Sequence, residues 1–378
     1  MSRETRDQRR AEPGSLDTEP APGFGMRRLG VIAEPKQGDP REAWGILNPG
    51  AARGRDGQLY LFPRVIAEGN FSRIAIARVL FDAQGCPAGI ERLGYALEPT
   101  ESYERNPKSG GGCEDGRVAY LRPLDLYVMT YTAYTLLGPR IALAISKDLF
   151  TWQRLGLLRF APSCPVDFNT YGNKDGLFFS DILIDEHGHQ SFALIHRPTY
   201  RVAQADGTVN LIVPPGVTER RQSLWMSHLS VERAQADYQA LTWIEDTHLL
   251  AVPEQPWESI KIGGGTPPVL TRHGWLVIYH GVSGQLVEGA HLQEKLRYSA
   301  GVMVLDATSA RRILYRSTAP ILTPEEPLER EGVVPNVIFP TGIDQRPETD
   351  DPNGYDVYYG MADTRIGVAR LSIPKELP

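Results

Sequence analysis

The sequence predicts an all-β chain, folded either as a propeller of five or more blades or as two β-sandwich domains. Three observations predict it. Short runs rich in Val, Ile, Leu, Tyr and Phe recur along the chain and are split by turn residues. Sustained helical periodicity is nearly absent, with only VERAQADYQAL (231–241) as a short candidate. The 378 residues include 37 glycines and 30 prolines, so the chain turns often, which suits many short strands better than long helices.

Taken in order, the strand candidates are GQLYLFPRVI (57–66), SRIAIARVLFD (72–82), LDLYVMTYTAY (124–134), RIALAISKD (140–148), QSFALIHRP (190–198), GWLVIYHGV (274–282), SAGVMVLD (299–306) and YDVYYGMAD (355–363). LAISKDLFTWQRLG (143–156) reads as a strand, a Lys-Asp turn and a second strand, its S-x-D-x-x-x-W spacing placing Trp152 to pack between blades. A four-stranded blade with its loops needs roughly 40 to 70 residues. Periodicity alone does not separate a propeller from two sandwiches. Residues 1–40 are expected to be a flexible tail and 41–378 a single domain.

Composition narrows the function. A net charge of −6 carries no basic excess, which argues against nucleic acid or an anionic membrane as partner. MSRETRDQRRAEPGSLDTEPAPG has no apolar core of a signal peptide, and no apolar run approaches the roughly 18 residues of a membrane span. A cytoplasmic protein is expected. Cys86, Cys113 and Cys164 form no CxxC pair and read as thiols in a reducing compartment. The GGG runs at 110–112 and 263–265 fit no phosphate-binding motif and read as tight turns. The eight histidines form neither HExxH nor H-x3-H, and His187 and His189 flank Gly188 in an apparent hairpin turn. No metal and no cofactor is therefore expected. GxSxG is missing, which argues against an α/β-hydrolase nucleophile.

Charged residues gather where strands run into turns. GGGCEDGRVAYL (110–121) holds Glu114, Asp115 and Arg117; Arg140 opens a strand; NKDGLFF (173–179) adds Lys174 and Asp175; ALIHRPTY (193–200) adds His196 and Arg197. Each alone is a common solvated group. At one mouth of a propeller, one acid with several cations would suit an anion beside a sugar.

Several segments, in this order, resemble glycoside hydrolase family 130, the β-mannoside phosphorylases and related β-mannosidases. They are ILNPGAARGRDGQLYLFPRV (46–65), CEDGRVAYL, GPRIALAISKDLFTWQRLG, NKDGLFF, HRP, WESIKIGGGTPPVLTRHGWLVIYHGV (257–282), YSAGVMVLD (298–306), VVPNVIFPTG (333–342) and YYGMADTRIGVARL (358–371). The resemblance spans about residues 45–372 and implies a five-bladed β-propeller that cleaves β-mannosides with inversion. Phosphate would displace the leaving sugar and give α-mannose 1-phosphate. The family's Glu-Asp-Pro-Arg motif falls on Glu114-Asp115-Gly116-Arg117, which implies Asp115 as general acid, acting through the mannose 3-hydroxyl. Gly116 departs from that motif. The resemblance further implies sugar contacts from Asn48, Arg64, Glu114 and Asp363, with Tyr279 and His280 lining the pocket or packing beneath it. Arg140, Lys174, His196 and Arg197 are the expected phosphate ligands, with Arg154 a weaker candidate. Phosphate is a co-substrate in this reading, and the partners are a β-mannoside oligosaccharide, β-1,2- or β-1,4-linked, and inorganic phosphate. A hydrolase of the same family and a non-catalytic sugar-binding propeller are the alternatives. A homo-oligomer, with the tail or the 200–222 loop reaching a neighbour, is also left open.

Overall fold

The β-rich runs become strands, and the strands come in fours. The structure, a computed structural model, describes residues 23–106, 110–135, 138–203, 209–286, 295–346 and 354–378. In chain order, β1 (Gly25–Ala33) precedes a first antiparallel meander of β2 (Gly45–Arg53), β3 (Leu59–Ala67), β4 (Phe71–Phe81) and β5 (Pro87–Leu97). The second is β6 (Gly111–Leu121), β7 (Leu126–Thr135), β8 (Gly138–Ser146) and β9 (Gln153–Leu157). The third is β10 (Gly172–Phe178), β11 (Gln190–Thr199), β12 (Leu224–Ser230) and β13 (Asp246–Ala251). The fourth is β14 (Lys261–Gly264), β15 (Gly274–Gly284), β16 (Leu296–Leu305) and β17 (Ile313–Arg316). The fifth, β18 (Ile338–Gln345), β19 (Gly354–Met361) and β20 (Arg365–Ser372), takes β1 as its fourth strand.

This last pairing corrects the expected 40-residue tail. Gly25–Ala33 is not loose: it runs antiparallel to β20, from Gly25 opposite Ser372 to Ala33 opposite Ile366. The ladder satisfies backbone groups that an edge strand would expose. Residues 1–22 lie outside the described residues. The GGG runs are also not turns: Gly111–Gly112 begin β6 and Gly263–Gly264 end β14. A Cβ on Gly112, whose φ is 117°, would come within 2.2 Å of the Ser72 carbonyl oxygen, so glycine is needed for the close approach to β4. The short helix expected near 231 is present as Val231–Ala236, capped by Ser230.

Five apolar clusters fill the contacts between successive meanders. Phe62 and Met129 belong to the cluster between the first and second, Phe168 and Leu143 to the next, and Met226 and Val277 to the third. Val302 and Val357 lie between the fourth and fifth, and Leu61 and Val368 between the fifth and the first. Each wholly buried side chain such as Phe62 or Leu61 contributes about 1.5–3 kcal/mol. The S-x-D-x-x-x-W turn does what its spacing implies. Backbone N–H groups of Phe150 and Thr151 donate to Asp148 Oδ1, and Trp152 packs edge-on to Phe62 with ring centroids 5.5 Å apart, bridging two meanders.

A second device recurs before the first strand of four meanders. Glu42, Glu104, Glu258 and Glu329 are buried in short helical turns and accept backbone N–H bonds from residues just upstream. Each pairs with an arginine on its meander's fourth strand: Arg92, Arg154, Arg316 and Arg28. In three, a tyrosine on the second strand also donates to the glutamate: Tyr131, Tyr279 and Tyr359.

Candidate active site

The first strands of three meanders share one irregularity. Register slips between Leu47 and Gly50 on β2, between Glu114 and Arg117 on β6, and between Lys174 and Leu177 on β10. Inside each slip stands one left-handed residue: Asn48 (φ 45°), Asp115 (φ 50°) and Asp175 (φ 57°). Asn and Asp tolerate this conformation better than other side chains, and a bulge re-aims the side chain it carries.

Asn48 and Asp115 enter a cavity of about 210 Å³ lined by all five meanders, and Asp175 stands behind its wall, paired with Arg197. Asn48, Asp115, Lys174, Lys261 and Phe339 come from first strands; Arg64 and Arg197 from second strands; Tyr298 and Asp363 complete the polar wall. Asn48 Nδ2 donates to Asp115 Oδ1 at 2.9 Å, and Arg64 reaches the same oxygen at 3.4 Å and Glu114 Oε1 at 2.9 Å. Lys174 Nζ lies 3.8 Å from Glu114 Oε2. Arg197 Nε donates to Asp175 Oδ2 at 2.6 Å, and its Nη1 to Gln222. Arg117 is wholly buried and ties the meanders together: it donates to the Asp115, Gly264 and Gly265 carbonyls, faces Asp175 and lies over the Phe339 ring.

Electrostatics set the two pocket aspartates apart. Burial alone would raise the Asp115 pKa, but the charges of Arg64, Lys174 and Arg117 and the Asn48 hydrogen bond outweigh it and hold the carboxyl below its usual range. At Asp363 burial wins, assisted by the neighbouring carboxylates of Asp115 and Glu114 against Arg64 and Lys174, and the pKa rises to about 6. Burial also pushes Tyr298 up to about 12, although Arg197 opposes it. Asp175 is held low, since Arg197 and Arg117 overcome its burial.

Among the expected site residues, Asp115, Asn48, Arg64, Asp363, Lys174 and Arg197 line the cavity, with Glu114 directly behind. His280 sits beneath it, fully buried, its ring 4.5 Å from Phe339 and its Nε2 3.8 Å from Asp175. Burial lowers its pKa well below the ordinary value and keeps it neutral. A Cβ on Gly263 would meet His280 at 2.4 Å and Asp175 at 2.5 Å, so glycine makes room for that contact.

Four expectations fail on geometry. His196 does not face the cavity. Thr132, Arg197 and His280 pair with Glu114, Lys174 and Gly263, and the residues before them, Tyr131, His196 and Tyr279, project to the opposite face. His196 is fully buried against Phe160 and Phe168 and hydrogen-bonded to Asn173 and Ser227, and burial lowers its pKa to about 3. An uncharged, enclosed imidazole there cannot hold phosphate. Tyr279 likewise points away, donating to Glu258 Oε1 at 2.6 Å. Arg140 is outside the cavity lining on β8, a third strand, where it donates to the Pro139 and Thr170 carbonyls. Arg154, the weaker candidate, serves Glu104. The sequence reading missed Lys261 and Tyr298, although IKIGGG and YSAG were among the matching segments.

The fold and the site define an all-β protein with a charged pocket where its sheets converge, an architecture that alone fixes no activity. Relatives supply the rest. Residues 226–377 match the family model of glycoside hydrolase family 130, described as beta-1,4-mannooligosaccharide phosphorylase. The chain is 31% identical over 299 residues to a beta-1,2-mannobiose phosphorylase of Thermoanaerobacter sp. (strain X514), covering 76% of this chain and 78% of that protein. It is 29% identical over 303 residues to the 1,2-beta-oligomannan phosphorylase of the same strain, with 75% and 79% covered. Its fold is similar to that of beta-1,2-mannobiose phosphorylase from Listeria innocua in complex with beta-1,2-mannobiose, with TM-score 0.64 and 22% identity over 92% of this chain and 97% of that one. The chain belongs to glycoside hydrolase family 130, the mannoside phosphorylases.

Proposed function

We propose that the five meanders are the blades of a propeller and that the chain is an inverting phosphorylase of β-1,2-linked manno-oligosaccharides. The observation that carries the reading is the cavity's charge. Arg64, Lys174, Arg197 and Lys261 line the cavity beside the carboxyl groups of Asp115 and Asp363, with Glu114 and Asp175 offsetting part of that charge from behind. Four cations are an unfavourable lining for neutral water as nucleophile, but they suit a phosphate dianion brought to the anomeric carbon. The linkage rests on the relatives matched over three-quarters of the chain, which are β-1,2 enzymes.

In this mechanism the mannose ring lies against Asn48, Arg64 and Asp363. Asn48 Oδ1 is buried with no hydrogen-bond partner, an acceptor suited to a sugar hydroxyl. Phosphate, held by Lys174, Arg197 and Lys261, attacks C1 from the face opposite the β-linked oxygen. The C1–O bond breaks, and the leaving oxygen takes a proton that Asp115 supplies through the mannose 3-hydroxyl. Asp115 is ionised in the free pocket because cations surround it. A dianion seated on Lys174 and Arg197 offsets those charges and raises the carboxyl's proton affinity, so phosphate binding loads the acid.

One observation favours hydrolysis: two pocket carboxyls with pKa values pushed apart are the pattern of an acid and a base, with Asp363 raised to about 6 and Asp115 held low. The test is incubation with β-1,2- and β-1,4-mannobiose, with and without phosphate, followed by phosphorus NMR. α-Mannose 1-phosphate formed only with phosphate, and faster from the β-1,2 disaccharide, is expected. Equal release of free mannose under both conditions would make the protein a hydrolase.

A further inference from the structure

A larger cavity than the charged pocket lies elsewhere, at the outer side of the third meander. It measures about 790 Å³, and Asp185, Ser191, His228 and Asp246 are among its walls. His228 stands on β12 opposite Asp246 on β13, and His248 follows Asp246 by two residues, on the same face of β13. One ligand atom from each of these three residues lies within 4.8 Å of the others. The imidazoles of His228 and His248 stack at 18°, with centroids 5.6 Å apart.

Two positively polarisable rings and a carboxylate would be an ordinary surface cluster if their polar atoms were satisfied, and they are not. His228 Nε2, Asp246 Oδ2 and both nitrogens of His248 are buried without a hydrogen-bond partner. Buried polar groups are almost always paired, and the unpaired ones call for a cause. His228 is only 3% exposed. Its Nδ1 is 2.8 Å from Ser191 Oγ, and a proton donated from Nδ1 to that hydroxyl leaves the Nε2 lone pair directed at Asp246 and His248. A histidine oriented through its far nitrogen is how proteins present an imidazole to a metal.

We propose that His228, Asp246 and His248 form a binding site for a divalent transition metal of the zinc class. Two imidazoles and one carboxylate are a donor set such ions accept, with water as fourth ligand. Bonds of about 2.1 Å in a tetrahedron need ligand atoms about 3.4 Å apart, so small side-chain rotations bring the three together. Arg311 adds a positive field nearby, but Glu186 pairs with it, and Asp185 and Asp246 oppose it at His228. The site clips β12 to β13, on the outer strands of a meander whose first strand carries Lys174 to the catalytic pocket. Its role is structural, so phosphorolysis does not require the ion.

The test uses tag-free, chelator-treated full-length chain in phosphate-free buffer. Titration with Zn²⁺ should give one site per chain and a higher melting temperature, and Co²⁺ should give the visible d–d bands of a tetrahedral complex. Asp246→Asn and His248→Gln, both outside the fully buried core, should each weaken binding at least tenfold and abolish the Co²⁺ bands while circular dichroism and mannobiose turnover stay unchanged. His187→Ala/His189→Ala, in the exposed turn nearby, should bind like the parent. No stoichiometric uptake overturns the proposal. So does uptake that survives both Asp246→Asn and His248→Gln, or that is lost only when the turn histidines are replaced.

Discussion

Asp115 and Asp363 share one small cavity and titrate in opposite directions, so their substitutions should behave differently. Asp115→Asn keeps the shape and the Asn48 contact but removes the proposed acid, and turnover should fall about 10²–10⁴-fold in a folded chain whose melting temperature drops because Arg64 and Lys174 lose a charge partner. Initial rates beside a thermal melt check this. Asp363 carries a folded pKa of about 6 against an ordinary 3.8. Its raised value favours the fold fully below the unfolded pKa, and that contribution is lost as pH rises through about 6. Asp363→Asn should therefore gain stability relative to the parent between pH 4 and pH 7, by up to about 3 kcal/mol. Paired denaturant titrations across that range would show a flat difference if the burial argument is wrong. His196→Ala should cost on the order of 2–4 kcal/mol of stability, because it opens a cavity and strands Asn173 and Ser227, and should leave the phosphate KM unchanged.

At the scale of elements, the buried glutamate turns and the bulged first strands recur. Arg316→Met leaves Glu258 charged and enclosed and should cost roughly 3–5 kcal/mol. Arg78→Ala, which breaks an exposed pair with Glu91, should cost less than about 1 kcal/mol. Adding Glu258→Gln to Arg316→Met should recover part of the loss, a coupling that a double-mutant cycle measures. The contrast between the two devices shows what was legible in the sequence. Strand-forming runs were readable, because β-branched and aromatic residues bounded by turns carry their own signal. The Glu-Asp motif and NKD were readable as polar insertions into apolar strands. Which of two neighbours faces the pocket was not. His196 and Arg197 differ by one position, and parity along a strand is set by register, which the bulge between Lys174 and Leu177 shifts. The same parity put His280 beneath the cavity and Tyr279 on the far face. Lys261 and Tyr298 stayed hidden because only the convergence of separate meanders brings them beside Asp115. The His228, Asp246 and His248 cluster was hidden for a like reason, its members meeting across two strands instead of along one.

For the whole molecule, the decisive feature is that the first and last described strands build the fifth meander together. Deleting residues 1–33 would uncover the β20 edge and remove Arg28 from buried Glu329. Such a chain should lose cooperative melting or aggregate, and a peptide of residues 23–35 supplied in trans should restore part of the transition. The same arrangement has a consequence in time. Gly25–Ala33 is synthesised before every other described strand, and its partner Arg365–Ser372 after them all. Every other meander can form as soon as its own residues exist, but this one waits until all the strands between its two halves have been made. A contact of such long sequence separation slows folding and leaves an unpaired edge on the late intermediate. Moving Gly25–Ala33 behind Ser372 by circular permutation would turn that contact into a local hairpin. The rearranged chain should refold faster and aggregate less while keeping the same pocket, so the natural order of the strands limits how fast the fifth meander forms and leaves the chemistry of the pocket untouched.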